Sequence, residues 1–464
     1  MVHSETVILF EDEGYRTFLP LVHSRPVWDL RCGIYSLRER VQLIAGTAPS
    51  GICRPHLAAA YGAGRWPLGL FANSDPLLFV NGRACHLDWL PDLQVAPTDT
   101  IYISHSSSDA REKVLLGAKL SPALASAVFL YILNQQSQLA LTELQRFTRV
   151  VEIDTELLTF PWDIITLNGE QIARDVSLFV AAHGIHSLKD HPSIDPHVVI
   201  HNPNQVYIHP AAKLNGPLVL DARDGPIVIG AASIEPFSFI QGPTSIGDKS
   251  LIASARIRGE TSIGPVCRIG GEVEASVIQG YSNKHHDGFL GHSYLGEWVN
   301  IGAMTTNSDL KNTYGTIRVV IDGLGQVDSG QLKLGCFLAD HVKLGIGVHL
   351  NGGAVIGTGS NIFGVHFAPK TIPPFTWGGE LFREYRIDRM IDVARKVMGR
   401  RKVTLSDEQE RVLRDVFAMT RGSRIDMDHP VTTTKPVVLP EAEKALSEAE
   451  TIAIQDVETV QRVS

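Results

Sequence analysis

Four consecutive side chains, Lys284, His285, His286 and Asp287, bring an amine, two imidazoles and a carboxylate together, with His292 and Lys311 downstream. Imidazole exchanges a proton near neutral pH, so such a cluster can act as a general base. Two other uses of these residues stay open. His285, His286 and Asp287 are all metal-ligand types, although adjacent residues rarely point at one ion. Paired histidines beside an aspartate also make an ordinary solvated turn. A second cluster lies near the start, in Phe10-Glu11-Asp12-Glu13-Gly14-Tyr15-Arg16. Three carboxylates crowd that loop, and they would repel phosphate unless Mg2+ stood between them. Farther on, Asp163 of Trp162-Asp163 is either a catalytic carboxylate or a helix cap, and Trp162 reads as core.

The elements that must position these groups fall into three parts. Up to about residue 185, short apolar runs (Val7 to Phe10, Leu77 to Val80, Thr100 to Ile103) alternate with helical stretches (Ser36 to Ile44, Ser121 to Phe147). That rhythm predicts an α/β layer with a mostly parallel sheet. From about 200 the period changes. Ile229, Ile234, Ile240, Ile246, Ile252, Ile257, Ile263 and Ile269 lie five or six residues apart, and Leu344, Leu350, Ile356, Ile362 and Ala368 resume the series. Six matches neither the helical 3.6 nor the strand period of 2. It predicts a solenoid of three short strands per coil, one aliphatic per hexad pointing inward and a small residue at the corner. At about 18 residues per coil this gives roughly nine coils stacked about 4.8 Å apart. The series breaks between about 273 and 332, where a loop is expected to leave the coil and build a site. After Pro374, Leu381 to Val397 and Thr404 to Met419 read as two amphipathic helices, and the chain beyond about 425 as a polar, partly disordered tail.

Composition excludes several classes. The 464 residues are 44% hydrophobic and 20% charged, as in a folded globular chain of more than one domain. Lys plus Arg is 42 against 50 Asp plus Glu, a net charge of −8, which argues against nucleic-acid binding. No apolar run reaches the roughly 18–20 residues of a membrane span, and no signal peptide is expected from Met1 to Thr6. Five scattered cysteines (Cys32, Cys53, Cys85, Cys267, Cys336) predict reduced thiols in a cytoplasm.

The [LIV]-G-x4 hexads resemble the left-handed parallel β-helix of hexapeptide acyltransferases. Set after an α/β domain, they make the chain similar to the bifunctional family of N-acetylglucosamine-1-phosphate uridylyltransferases and glucosamine-1-phosphate acetyltransferases, over about residues 5 to 400. Leu19-Pro20-Leu21 with Arg25-Pro26, Phe160-Pro161-Trp162-Asp163-Ile164 with Asn168-Gly169, and Gly280 through Ala303 support the likeness. The implied organisation is a nucleotidyltransferase-like Rossmann-like domain (1–185), a hexapeptide-repeat β-helix (186–377), C-terminal helices (378–424) and a tail (425–464).

The resemblance implies specific roles. In that family a His three residues before an aromatic and Leu-Gly is the base, which places His286 ahead of Phe289-Leu290-Gly291. The family's aromatic is Tyr, so Phe289 lacks the hydroxyl. Asn300 of Asn300-Ile301-Gly302-Ala303 would hold the sugar and Ala303 would face acetyl-CoA. Arg258 matches the phosphate clamp, and Glu274 stands near where a second basic residue is expected. Lys284 reads, from its own type and place, as a phosphate or solvent contact rather than a nucleophile. The cofactor would lie along Leu334 to Ile362, with Arg400, Arg401 and Lys402 on its phosphates; a solvated basic helix end explains those three equally well. In the first domain Gly-x-Gly-Thr-Arg is replaced by the acidic loop. Arg16 and Arg25 would stand in for its basic residues, Asn168 would bind substrate, and Asp163 or Asp12 would hold Mg2+. Asn81-Gly82-Arg83 occupies the place of the family's metal-binding Asp. The expected activity is transfer of acetyl from acetyl-CoA to an amino sugar phosphate, with nucleotidyl transfer making a nucleotide sugar beside it. A sugar-1-phosphate nucleotidyltransferase with a scaffolding β-helix, or a non-catalytic sugar-nucleotide sensor, are the alternatives. The resemblance also implies a homotrimer.

Overall fold

The computed structural model describes residues 6–61, 75–105, 113–155, 157–185, 188, 194–364, 367–379 and 381–428. The tail expected over 425–464 therefore lies, from 429 onward, outside the described residues.

The first part is built on a six-stranded sheet. Strands β1 (Thr6–Phe10), β2 (Ser50–Ile52), β3 (Leu77–Asn81), β4 (Thr100–His105), β5 (Lys113–Leu120) and β6 (Arg149–Glu152) run in the order β2-β1-β3-β5-β4-β6. Only β5 is antiparallel to its neighbours. Its central strands are buried almost throughout, which is why they read as continuous apolar runs. The stretch expected as one helix over Ser121 to Phe147 is two, Pro122–Leu133 and Ser137–Leu144. Gln135 turns into the left-handed region between them (φ 52°), and Ser137 gives its N–H (3.0 Å) and hydroxyl (2.7 Å) to Glu13. That carboxylate anchors the start of the second helix. A long helix, Pro161–His183, closes the domain.

The hexads form a parallel β-solenoid. One face is a nine-stranded column from Val206–Ile208 to Thr371–Ile372. The second runs from Lys213–Leu214 through Leu251–Ala253, Asn283–Lys284 and Asn300–Ile301 to Thr376–Gly378. The third runs from Val198–His201 through Phe239–Gln241 and Phe289–Gly291 to His349–Leu350. The predicted aliphatics stack inward as one core.

The glycines serve a different end from the one expected. The corners are turned by residues with positive φ that are mostly not glycine, among them Lys249, Val266, Tyr281, Trp298 and His341 on one edge. Where a glycine follows an inward aliphatic, close stacking requires it. A Cβ on Gly264 would stand 2.0 Å from the Gln279 carbonyl oxygen, and one on Gly270 would stand 2.0 Å from that of His285.

The break in the hexads is also narrower than expected. Coils through Thr306–Asn307 keep their register, and the true excursion is 308–335, which carries the hairpin Arg318–Ile321 with Gly325–Asp328. It folds back over the first face, burying Ile317, Val319 and Ile321 beside Phe18, Trp162 and Tyr294. Two helices, Ile387–Gly399 and Asp407–Met419, pack Met390, Ile391, Met398, Val412 and Leu413 between the first domain and the solenoid edge at Trp298 and Phe375. No helix among the described residues is long and apolar enough to cross a membrane.

Candidate functional site

The acidic loop of the first domain is satisfied from within. Asp12 caps the turn Glu13–Phe18 by accepting from Gly14 N, and Arg83 grips it through Nε (2.7 Å) and Nη2 (2.6 Å), with Asn81 Nδ2 at 2.9 Å. Burial pushes this carboxyl up, but the charge and hydrogen bonds of Arg83 outweigh it and hold Asp12 below the usual range. Glu11 is paired bidentately with Arg54, both oxygens at 3.1 Å. Arg25 leaves the loop altogether. It reaches the solenoid, where Asp340 accepts at 2.9 Å and Glu297 lies at 3.1 Å, and it also holds Asp29 at 2.8 Å. Asp163 caps the long helix, its Oδ2 accepting from Thr159 N (2.7 Å) and Phe160 N (2.8 Å). Asn168 is a domain joint: its Oδ1 accepts from Gly33 N (2.8 Å) and Ser262 Oγ (2.9 Å), and its Nδ2 donates to Glu260 O (2.8 Å). Arg16 is exposed. Among the described residues no three His, Cys, Asp or Glu side chains are grouped to hold a metal. With Asp12 and Asp163 engaged by Arg83 and by backbone N–H groups, the donor set here does not fit Mg2+.

The solenoid presents the opposite picture. His286 and Asp287 are exposed at the edge between the second and third faces. The His285 and His286 rings meet edge-on at 5.1 Å. Beside them runs an open groove of about 460 Å3, lined by Phe237, Phe239, Arg256, Glu272, Asp287 and Phe289. Phe289 therefore belongs to the same groove as the residue next to His286. Arg258 lies one step away with Glu272 at 3.1 Å and Glu274 at 4.0 Å, and Lys333 answers Glu274 at 3.4 Å. Asn300 accepts from Asn283 Nδ2 at 2.9 Å on the second face. Ala303 is on the coil above His286, next to Met304, whose N–H donates to Asp287 O at 2.8 Å. Lys284, expected on a phosphate, points instead into the solenoid, because its position alternates inward with Ile269 and Ile301. The 308–335 excursion walls a different cavity, of about 410 Å3, with Tyr15, His23, Val355 and Thr420.

Two features escape sequence reasoning and a third is visible in it only in part. His292 turns a corner at φ 46° and its Nδ1 lies 2.8 Å from Asp309 Oδ2, joining two coils. Lys343 lies half-buried under the edge, donating to Trp298 O and to His341 O (3.2 Å); desolvation there pushes its amine down to about 7. Arg401, half-buried, is pushed below its ordinary value by burial and then by Arg268 and Arg400. The last is a cluster of like charges. It joins the end of the Ile387–Gly399 helix to the second face of the solenoid, and only the Arg400–Arg401 half is visible in sequence.

Residues 7–183 match the sugar nucleotidyl transferase family model. A bifunctional sugar-1-phosphate nucleotidylyltransferase/acetyltransferase of Sulfurisphaera tokodaii is 36% identical over 92 residues, 20% of this chain. The match spans 23% of that relative's length. Among solved structures, AntD, an N-acyltransferase from Bacillus cereus in complex with dTDP and coenzyme A, aligns over 47% of this chain and 97% of its own at 15% identity, TM-score 0.20. The UDP-N-acetylglucosamine acyltransferase of Francisella novicida aligns over 51% and 100% at 12% identity, TM-score 0.21.

Proposed function

We propose that this protein is a sugar-phosphate transferase whose solenoid moves an acetyl group from acetyl-CoA to an amino sugar phosphate. The observation that bears most weight is the exposed His286 beside an aromatic-walled groove that contains Phe289 and Glu272, the ion-pair partner of Arg258. Transfer to an ammonium requires that a proton be taken before attack, and His286, beside the groove, is the imidazole that would take it. Phe289 would lie under the apolar side of the sugar, Asn300 would orient it, and Arg258 would meet its phosphate. Acetyl-CoA supplies the activated acyl group. The like-charged Arg268, Arg400 and Arg401 fit its phosphates, since such a cluster is relieved by an anion. Ala303 on the coil above His286 would lie along the thioester arm. Phe237, Met304 and Ile346 leave an apolar line exposed on the same edge, which a homotrimer would cover. The division at 1–185, 186–377 and 378–424 and a cytoplasmic setting, in keeping with five buried unpaired cysteines, are part of this proposal.

The family match over 7–183 favours a second activity, nucleotidyl transfer yielding a nucleotide sugar. Arg16, Arg25 and Asn168 would be its substrate contacts only after the ion pairs of Arg25 and the loop rearrange. Pyrophosphate release from sugar phosphates with a panel of nucleoside triphosphates, measured with and without added Mg2+, tests that reading; no release from any pair would remove it. The acetyl reading is tested by CoA release: His286→Ala should lower kcat by about 10²–10⁴-fold with the melting temperature unchanged. Unaltered turnover in that variant would remove His286 from the chemistry.

A further inference from the structure

A charged side chain stands where the solenoid is built for an aliphatic one. The inward column of the second face reads Leu214, Ile234, Ile252, Ile269, Lys284, Ile301, Leu344 and Ile362, one per coil in paired register. Lys284 is only 2% exposed, as buried as its aliphatic neighbours. Its Nζ donates to the carbonyl oxygen of His286 at 2.7 Å. The coil below makes room for it. Gly271 has φ +69°, and a Cβ there would stand 2.7 Å from Nζ. An isoleucine at 284 would fill the column without desolvating an ammonium, which is the costly option in an apolar slot. A local rule broken inside an otherwise regular repeat points to function rather than to packing.

The corner that follows is otherwise held by backbone hydrogen bonds at its far end. Met304 N–H donates to Asp287 O (2.8 Å) and Glu272 N–H to Gly288 O (3.2 Å), while the Nδ1 of His285 is buried without a partner among the described residues. The His286 ring, meanwhile, faces solvent. We propose that Lys284 is a positioning residue: by drawing the His286 carbonyl inward, its ammonium holds the 285–288 corner in the turn that leaves the imidazole exposed to solvent beside the groove. The catalytic consequence rests on the acetyl-transfer reading; the geometry does not.

The experiment is Lys284→Met in the full-length protein. The expected variant melts no lower than wild type, exchanges amide hydrogens faster at 285–288 and nowhere else in the solenoid, and loses about 10-fold or more in kcat with KM for acetyl-CoA unchanged. A lower melting temperature, or failure to fold, would overturn the proposal, because the ammonium would then be a structural member of the column. Unchanged exchange at the corner would overturn it too, as would unchanged kcat in an active enzyme. If wild type transfers no acetyl group to any amino sugar phosphate, the acetyltransferase reading falls, and melting and exchange decide the role of Lys284 by themselves.

Discussion

The two halves of this molecule treat their charges in opposite ways. In the first domain Glu11, Asp12 and Arg25, all in or near the loop after β1, are buried and matched to Arg54, Arg83 and Asp340. On the solenoid edge His286 and Asp287 stay exposed, and the ion pairs of Arg258 are open to water. The first arrangement converts polar side chains into structural joints, one of which ties the domain to the solenoid. The second leaves polar groups available to a ligand at the cost of contributing little to folding. The contrast teaches that a loop's composition says less about chemistry than whether its charges have already found partners.

The largest test of this contrast is a matched pair of substitutions. Arg83→Met leaves the Asp12 carboxylate buried and unpaired, which should cost about 3–5 kcal/mol of unfolding free energy. Arg258→Met breaks a pair whose members are 43% and 30% exposed, and should cost no more than about 1 kcal/mol. Denaturant unfolding of both would measure the gap. Equal losses would mean that the two regions do not differ in the way argued.

A middle-sized effect separates Lys284 from both groups. Burial pushes its amine down to about 8 from the ordinary lysine value, with Asp287 the charge opposing that shift. A lysine depressed in the fold is fully penalised at pH below its folded value, and the penalty fades as pH rises toward the unfolded value of roughly 10.4. Lys284→Met should therefore stabilise the protein most near pH 7, by at most roughly 3 kcal/mol, and the gain should shrink between about pH 8 and 10.5. Melting curves of the variant and wild type across that range check it. A gain that grows with pH would have the wrong sign for a desolvated ammonium.

The hexad register was legible because one aliphatic per face must point inward, and that need recurs at a period no helix or single strand shares. The break around 273–332 misled for a related reason: Ile263 pairs with Ile278, a shorter step than Ile246 to Ile263. The shift hides that Lys284 keeps the inward position. Corners were illegible because residues as large as Trp298 and His341 adopt the positive φ that glycine was expected to supply. In sequence the acidic loop lacks counter-charges, because its partners, Arg54 and Arg83, arrive from distant segments that only the folded sheet brings near. His286 could be named from its spacing to Phe289, whereas the His292–Asp309 pair crosses coils and has no linear signature.

The smallest effect concerns the basic cluster at the end of the Ile387–Gly399 helix, where a solvated helix terminus and a phosphate site predict different things. Cations that merely complement a helix end repel nothing and gain a little from the dipole. Here Arg401 is instead pushed down by burial and by Arg268 and Arg400, so removing it relieves repulsion rather than losing an attraction. Arg401→Ala should leave the melting temperature unchanged or slightly higher. It should raise KM for acetyl-CoA by about 10-fold, near the 1.4 kcal/mol of one charge-assisted contact, with KM for the amino sugar phosphate unaffected. The shift should diminish as salt screens the partly exposed patch. An unchanged KM for acetyl-CoA, with a lower melting temperature, would return Arg401 to the helix end and leave the cofactor's phosphates to another part of the solenoid.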